Sequence, residues 1–377
     1  MKILFTGGGT GGHFYPIIAV AEGVRDLVHD RKLIQPELFY AAPEPYDQDL
    51  LFQNDITYIK TPAGKIRHYF SILNVTDALK TAWGIMWSLW RMFFLYPDVV
   101  FGVGGYGSFP TLFAARVLRI PVVIYATDAV PSRVNKWAGK FATKIAISFP
   151  EAAKYFPSDK VAHTGNPIRK SLLIPARQGA HEFLKLDPLI PIILVIGGSQ
   201  GSVAINDAIL AALPRLVEKY QIVHQTGEAN IVEVEGRAQI ALGDTLNQNR
   251  YRPFGYLNEL AIRMTAGVAK LVVSRAGAGS IFEIATWGIP SILVPIPEEI
   301  SHDQTQNAFA YAKSGAATVV DQANFKPGVL MSEIDRILEH PNIARAMGNA
   351  ARSYARVDAA RTIAEALLAI ALSHESE

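Results

Sequence analysis

Short continuous apolar runs alternate along this chain with longer stretches whose apolar positions recur every three or four residues. The runs suit strands buried on both faces, and the longer stretches suit helices laid over them. The pattern predicts strands at 3–6, 37–41, 98–101, 121–125 and 144–148, then at 191–196, 221–225, 271–274 and 291–295. After the last run, the VPIP around Pro295 and Pro297 cannot continue a ladder and takes the chain out of the sheet. Such strand–helix alternation points to parallel α/β architecture.

The two halves repeat one plan. ILFT followed by GGGTGG opens the first, and IILVI followed by GGSQGS opens the second, about half a chain later. Between them, GNPIRKSLLIPARQGAHEF is rich in turn-formers and poor in periodicity, and reads as a linker. The expectation is two doubly wound, Rossmann-like domains at about 1–165 and 166–349, facing a cleft. The chain from about Pro341 is alanine-rich and helical.

Composition removes several chemistries. Half of the 377 residues are hydrophobic and 19% are charged, enough for a large core. With no cysteine, disulfides, thiolate zinc sites and cysteine nucleophiles are excluded. A formal charge of +2 gives no basis for a nucleic-acid partner. The apolar stretch after Lys2 is too short for a signal-peptide core, so a cytoplasmic protein is expected.

Glycine marks the candidate site. Gly7, Gly9 and Gly12 fit the dinucleotide pattern GxGxxG, but that reading expects an acidic residue about 20 positions on. The first carboxylate after the next strand is Glu44, 32 positions beyond Gly12. Further glycine loops follow the runs DVVF (Gly102, Gly104, Gly105, Gly107) and IILVI (Gly197, Gly198, Gly201). One such loop is more often a tight turn than a ligand site. Three, divided between two domains at strand ends, favour a diphosphate-bearing ligand. None matches an ATP P-loop. In SRAGAGSIFEIATWGIP, Ser280 and Glu283 fit a helix capping box, or alternatively phosphate and ribose contacts.

Six segments, GGGTGGH, GVGGYGSFP, GNPIR, GGSQGS, SRAGAGSIFEIATWGIP and HDQTQNA, occur in the order found in the MurG family, which this chain resembles from Met1 to about Ala317. Those enzymes move N-acetylglucosamine from UDP-GlcNAc onto lipid I, giving the lipid II of peptidoglycan synthesis. The resemblance implies a GT-B fold with the acceptor mainly on the first domain and the donor on the second. Helices from about 350 to 377 would return to the first domain. It places Thr10, Gly11 and Gly12 against the donor sugar and diphosphate, with Arg169 and Ser199 on the phosphates. Leu257 would meet uracil through its backbone. Ala278, Gly279 and Ser280 would support the diphosphate, with Gly104, Gly105, Gly198 and Gly201 in the other phosphate loops. Glu283 would hold the ribose, and Asp303 and Gln304 would read the sugar hydroxyls.

Displacement with inversion needs a base near the acceptor hydroxyl and stabilisation of the leaving diphosphate. His13 fits as the base, and fits equally as a phosphate partner or cap. The family carries His-Glu-X-Asn after the strand at 121–125. Here the residues are Tyr125, Ala126, Thr127 and Asp128. Asp128 would take the place of the asparagine at the donor, or act as an alternative base. No carboxylate cluster resembles a metal cage, so no bound metal or cofactor is expected; UDP-GlcNAc is a substrate. The rival readings are a UDP-GlcNAc 2-epimerase of the same fold, and a scaffold that binds UDP-sugars without transfer or with another acceptor.

Residues 79–96 form one further feature. Trp83, Trp87, Trp90 and Phe94 share a helical face, and the helix is apolar nearly all round. Lys80 and Arg91 leave too short a run to span a bilayer. A core helix is one reading. The other is a patch at the cytoplasmic membrane surface, helped by Tyr69, Phe70, Ile72 and Leu73 with Lys65 and Arg67 nearby. The membrane-anchored acceptor implied by the resemblance supports the patch, and leaves room for other cell-wall enzymes as partners.

Overall fold

The computed structural model describes residues 1–65, 73–198, 200–243, 247–298 and 302–373, without the side chains at 73, 74, 302 and 303. The chain forms two compact units. The first comprises Met1–Lys170 and the chain from Arg356 onward; the second comprises Ser171–Ala355.

The first unit is built on a seven-stranded sheet: β1 (Lys2–Thr6), β2 (Glu37–Ala42), β3 (Ile56–Lys60), β4 (Val99–Gly102), β5 (Val122–Ala126), β6 (Lys144–Ile147) and β7 (Val161–His163). Their order is β3-β2-β1-β4-β5-β6-β7, and every pairing is parallel. On one face, helix Gly11–Asp30 packs through Phe14, Ile17 and Val24, joined by Ile363, Leu367 and Leu368 of helix Ala359–Ser373. These helices approach closely at Gly23, where a Cβ would stand 3.1 Å from the carbonyl oxygen of Ala360. Leu4, Val100, Leu112 and Ile124 fill the other face.

The second unit repeats the plan with six parallel strands: β8 (Ile192–Ile196), β9 (Gln221–Gln225), β10 (Tyr251–Phe254), β11 (Ala269–Ser274), β12 (Ser291–Leu293) and β13 (Ala317–Val319). The order is β10-β9-β8-β11-β12-β13. Helices Val203–Lys219 and Pro327–Leu338 cover one face through Ile209, Leu213, Leu330 and Ile334. The second face is closed by Leu184, Leu257, Ala261 and Trp287.

Every strand expected from sequence forms. Four more appear, and all four are sheet edges: β3, β7, β10 and β13. The segment expected as a linker holds two short helices, Lys170–Leu173 and Ala180–Leu184, with the division between units after Lys170.

The aromatic segment is a 23-residue helix, Leu73–Leu95. Its inward side is polar or small: Asp77, Gly84 and Ser88 are buried, and Met92 is the buried apolar residue among them. Its outward side carries Val75, Leu79, Trp83, Met86, Trp90, Phe93 and Phe94, each 53–70% exposed. Trp87 stands apart from this stripe. It is half-buried, and its Nε1 donates to the carbonyl of Lys60 at 3.1 Å. Its place is therefore a shoulder anchored to the sheet, which corrects its grouping with the exposed residues. Residues 67, 69, 70 and 72, and the side chain of 73, lie outside the described residues. Among the described residues, no helix is long and apolar enough to cross a membrane.

Candidate functional site

In both sheets the winding reverses at the centre, between β1 and β4 and between β8 and β11. Open parallel sheets bind ligands at the carboxyl ends of the strands beside such a switch point. The four loops leaving those four strands are the glycine-rich segments at 7–12, 103–107, 197–201 and 275–279. Within each sheet, the topology thus sets the two loops side by side at the switch point, which their spacing could not show.

The glycines serve two purposes. At some positions a side chain would collide with protein. A Cβ on Gly105 would stand 2.9 Å from the Cα of Gly8, and one on Gly107 would stand 2.8 Å from the carbonyl oxygen of Gly7. Gly104 adopts φ +90°, with its Cα side against Asn135. Backbone packing and positive φ account for these glycines without a phosphate. Gly201 is similar: at φ +77° its Cβ would meet the Thr226 carbonyl oxygen at 1.9 Å. By contrast, a Cβ on Gly12, Gly198, Gly277 or Gly279 would meet nothing within 4 Å. Those four faces are open; at Gly198 the φ of +93° by itself calls for glycine, whereas at Gly12, Gly277 and Gly279 neither packing nor φ gives a reason for the missing side chain.

In the first unit, Thr10 is the N-cap of helix Gly11–Asp30, but its side chain makes no cap bond to the backbone. Its Oγ1 instead lies 2.8 Å from Nδ1 of His13. Desolvation lowers the pKa of His13 below its ordinary value, and the carboxylate of Asp128 partly opposes this. The imidazole is therefore neutral at pH 7, the form a base requires. Asp128 is half-buried and accepts from the Thr127 hydroxyl at 2.6 Å.

Tyr125 lies wholly in the core, where its hydroxyl donates to Oδ1 of Asn166 and pairs with the hydroxyl of Ser148. Position 125 therefore braces β5 and does not line the loops. Arg169 also belongs to the first unit, with its guanidinium 4.3 Å over the ring of Tyr15, near the start of the first helix. Sequence reasoning missed Asn135, which is buried and donates to the carbonyl of Tyr125 at 3.1 Å. Its Oδ1 has no hydrogen-bond partner among the described residues.

In the second unit, helix Ala278–Trp287 starts from Gly277 as N-cap, with no side-chain cap bond. Ser280 lies three positions inside the helix, so the capping box drawn from Ser280 and Glu283 does not form. The helix N-terminus, with its unpaired NH groups and positive dipole end, opens beside Gly277 and Gly279. Leu257 is buried, and its backbone N–H already donates to Oε1 of Gln225 at 3.1 Å. A base-recognition role through the Leu257 backbone is thus left to its carbonyl. Gln304 uses Oε1 to accept from the N–H groups of Ala276 (3.3 Å) and Ile296 (3.2 Å), which directs its amide NH2 elsewhere. Ser199 and the side chain of Asp303 lie outside the described residues.

Arg275, also missed, braces this pole. It donates to Ser202 Oγ (2.6 Å), Gln322 Oε1 (2.7 Å) and the carbonyl oxygens of Val294 (3.0 Å) and Pro295 (3.2 Å). Desolvation pulls its pKa below the ordinary guanidinium value. Among the described residues, no group of three or more His, Asp or Glu could hold a metal ion.

Comparison with known proteins also finds two domains. Residues 3–147 match the glycosyltransferase family 28 N-terminal domain, and residues 192–364 match the family's C-terminal domain. A relative from Bacillus thuringiensis (strain Al Hakam), named UDP-N-acetylglucosamine--N-acetylmuramyl-(pentapeptide) pyrophosphoryl-undecaprenol N-acetylglucosamine transferase 3, is 34% identical over 96% of this chain and 97% of its own. The crystal structure of Acinetobacter baumannii MurG superposes with a TM-score of 0.74 at 25% identity, covering 97% of this chain and 99% of that one. A UDP-GlcNAc 2-epimerase from Neisseria meningitidis, bound to UDP-GlcNAc, shares the fold at 17% identity and TM-score 0.67, covering 98% and 100%. Two Rossmann-like units of the GT-B fold class, both halves of one family pattern and a whole-length relative place this chain in glycosyltransferase family 28, in its MurG branch.

Proposed function

We propose that this chain is an inverting N-acetylglucosaminyltransferase that moves GlcNAc from UDP-GlcNAc to the MurNAc 4-hydroxyl of lipid I. The single structural observation that carries the reading is the set of open glycine faces at 12, 198, 277 and 279 beside the two switch points. A phosphate-bearing substrate needs such close backbone approach. The whole-length relatives supply the identity of donor and acceptor.

The second unit takes the donor. NH groups at the start of helix Ala278–Trp287 and along the loop 197–201 face the diphosphate, Glu283 the ribose, and the Gln304 amide NH2 the hexosamine. In the reaction, the acceptor oxygen bonds to C1 of GlcNAc, the bond from C1 to the β-phosphate oxygen breaks, and UDP leaves with the electron pair. Oriented NH groups and the Arg169 guanidinium stabilise that charge. The acceptor proton passes to a base in the first unit. His13 takes that role when its Nδ1–H donates to Thr10, which leaves Nε2 with a free lone pair. Asp128 is the second base candidate. The reading uses no metal, so a chelator should leave turnover unchanged.

The exposed stripe on helix Leu73–Leu95 supports a location at a membrane surface. A row of large apolar side chains, with Arg91 stacked 5.5 Å over Trp87 and 5.9 Å over Trp90, suits the headgroup boundary. The protein then works as a peripheral enzyme on the cytoplasmic face of the membrane, where lipid I is its acceptor. Calorimetric titration with UDP-GlcNAc, followed by an assay of UDP release with and without a short-chain lipid I analogue, tests the reading. Release that depends on the acceptor supports it. Tight binding without acceptor-dependent release would favour the scaffold reading.

A further inference from the structure

The strand β9 ends in His224 and Gln225, and Thr226 follows it: three buried polar residues after the apolar Ile222 and Val223. His224 and Thr226 bond within the core. Gln225 does something different, because its two amide atoms reach two different loops. Its Nε2 donates to the carbonyl of Gly198 at 2.9 Å, and its Oε1 accepts from the N–H of Leu257 at 3.1 Å. Gly198 lies in the glycine loop after β8, at φ +93° with an open face. Leu257 lies in the loop between β10 and the next helix.

We propose that Gln225 is a positioning residue that fixes the distance between the loop gripping the donor's diphosphate and the loop gripping its base. The inference rests on the donor reading given above. Gln225 touches neither substrate group; it acts through Gly198 and Leu257. The bonds are well placed for this. The bond to Leu257 is buried and the bond to Gly198 partly so, and an unmade hydrogen bond in such a place is costly. The neighbouring backbone also leaves little slack, since Gly201 sits against the Thr226 carbonyl and Gly227 against that of Gln200. Two sites held at one fixed separation bind a linked ligand better than two sites that drift, because the linked ligand does not have to order them.

The test compares wild type and Gln225→Leu by calorimetry with three probes: UDP, uridine and inorganic pyrophosphate. The clamp predicts that Gln225→Leu weakens UDP by about tenfold while uridine and pyrophosphate each change less than about threefold. In turnover, KM for UDP-GlcNAc rises by a similar factor, with kcat and the acceptor KM nearly unchanged. A general structural role would weaken all three probes together, and that result overturns the clamp. Unchanged UDP affinity in the variant overturns it as well. If Gln225→Leu melts below the assay temperature, Gln225→Glu carries the comparison. It keeps the Leu257 acceptor, removes the donor to Gly198, and should show the same selective loss of UDP. Wild-type protein that fails to bind UDP overturns the donor reading itself, a result distinct from either failure of the clamp.

Discussion

At the scale of single residues, the same amino acid carries different duties in topologically equivalent loops. Gly105 and Gly277 look equivalent in sequence. Yet a side chain on Gly105 would strike Gly8 at a φ of +78°, whereas Gly277 has ordinary φ and open space. Gly105→Ala should therefore destabilise the first unit by several degrees in Tm, while Gly277→Ala leaves Tm unchanged and raises KM for UDP-GlcNAc. Thermal melts beside donor kinetics separate these outcomes. The pair formed by Thr10 and His13 yields a second prediction. If His13 is the base, His13→Ala lowers kcat by about 10²–10⁴; a phosphate partner would show its loss mainly in KM. The acid limb of kcat/KM should lie below the ordinary histidine value of about 6.5. Asp128 raises the His13 pKa, so in Asp128→Asn the limb moves to still lower pH.

At the scale of elements, the interior strands were legible and the edges were not, for one physical reason. β1, β4, β5 and β8 are covered on both faces and read as near-continuous apolar runs. β3, β7, β10 and β13 are half-exposed and carry polar residues such as Thr57, Lys60, His163, Arg252 and Thr318, which break the run. The glycine loops were visible because glycine clusters are rare. Which glycine met a ligand and which met a neighbour depended on pairs distant in sequence, such as Gly8 with Gly105. Gln225 had only a faint signal, the abrupt change from IV to HQT at a strand's end. The aromatic helix shows the same limit: period placed Trp87 on the apolar face, and its bond to Lys60 removed it. The triple change of Trp83, Trp90 and Phe94 to Ser should abolish sedimentation with anionic vesicles and leave Tm nearly unchanged, since all three are exposed. Trp87→Ser should instead lower Tm, because it breaks a contact to β3. Loss of the fold in the triple variant would contradict the patch.

For the whole molecule, stability should vary with pH through a group that the chemistry does not use. His224 is fully buried between Tyr251 (2.8 Å) and Asn206 (3.1 Å). Asn206 Nδ2 donates to Thr226, so its Oδ1 accepts from Nε2–H, and Nδ1 accepts from Tyr251. Burial lowers the pKa to about 3. Between about 6.5 and 3 the unfolded chain binds a proton that the folded second unit does not. Stability is complete above that window and falls with decreasing pH through it, by up to about 1.4 kcal/mol per pH unit from this site. Denaturant titrations of wild type and His224→Gln from pH 7 to 4 measure it: the variant should show the shallower slope.

The central claim is group transfer to a lipid-linked sugar. The most direct measurement is to incubate the protein with UDP-GlcNAc and a short-chain lipid I analogue, and to identify the products by mass and by the anomeric coupling of the new linkage. The account predicts UDP and an acceptor bearing one added N-acetylglucosamine in the inverted, β configuration. Free sugar, an epimerised UDP-sugar or an unaltered acceptor would contradict it.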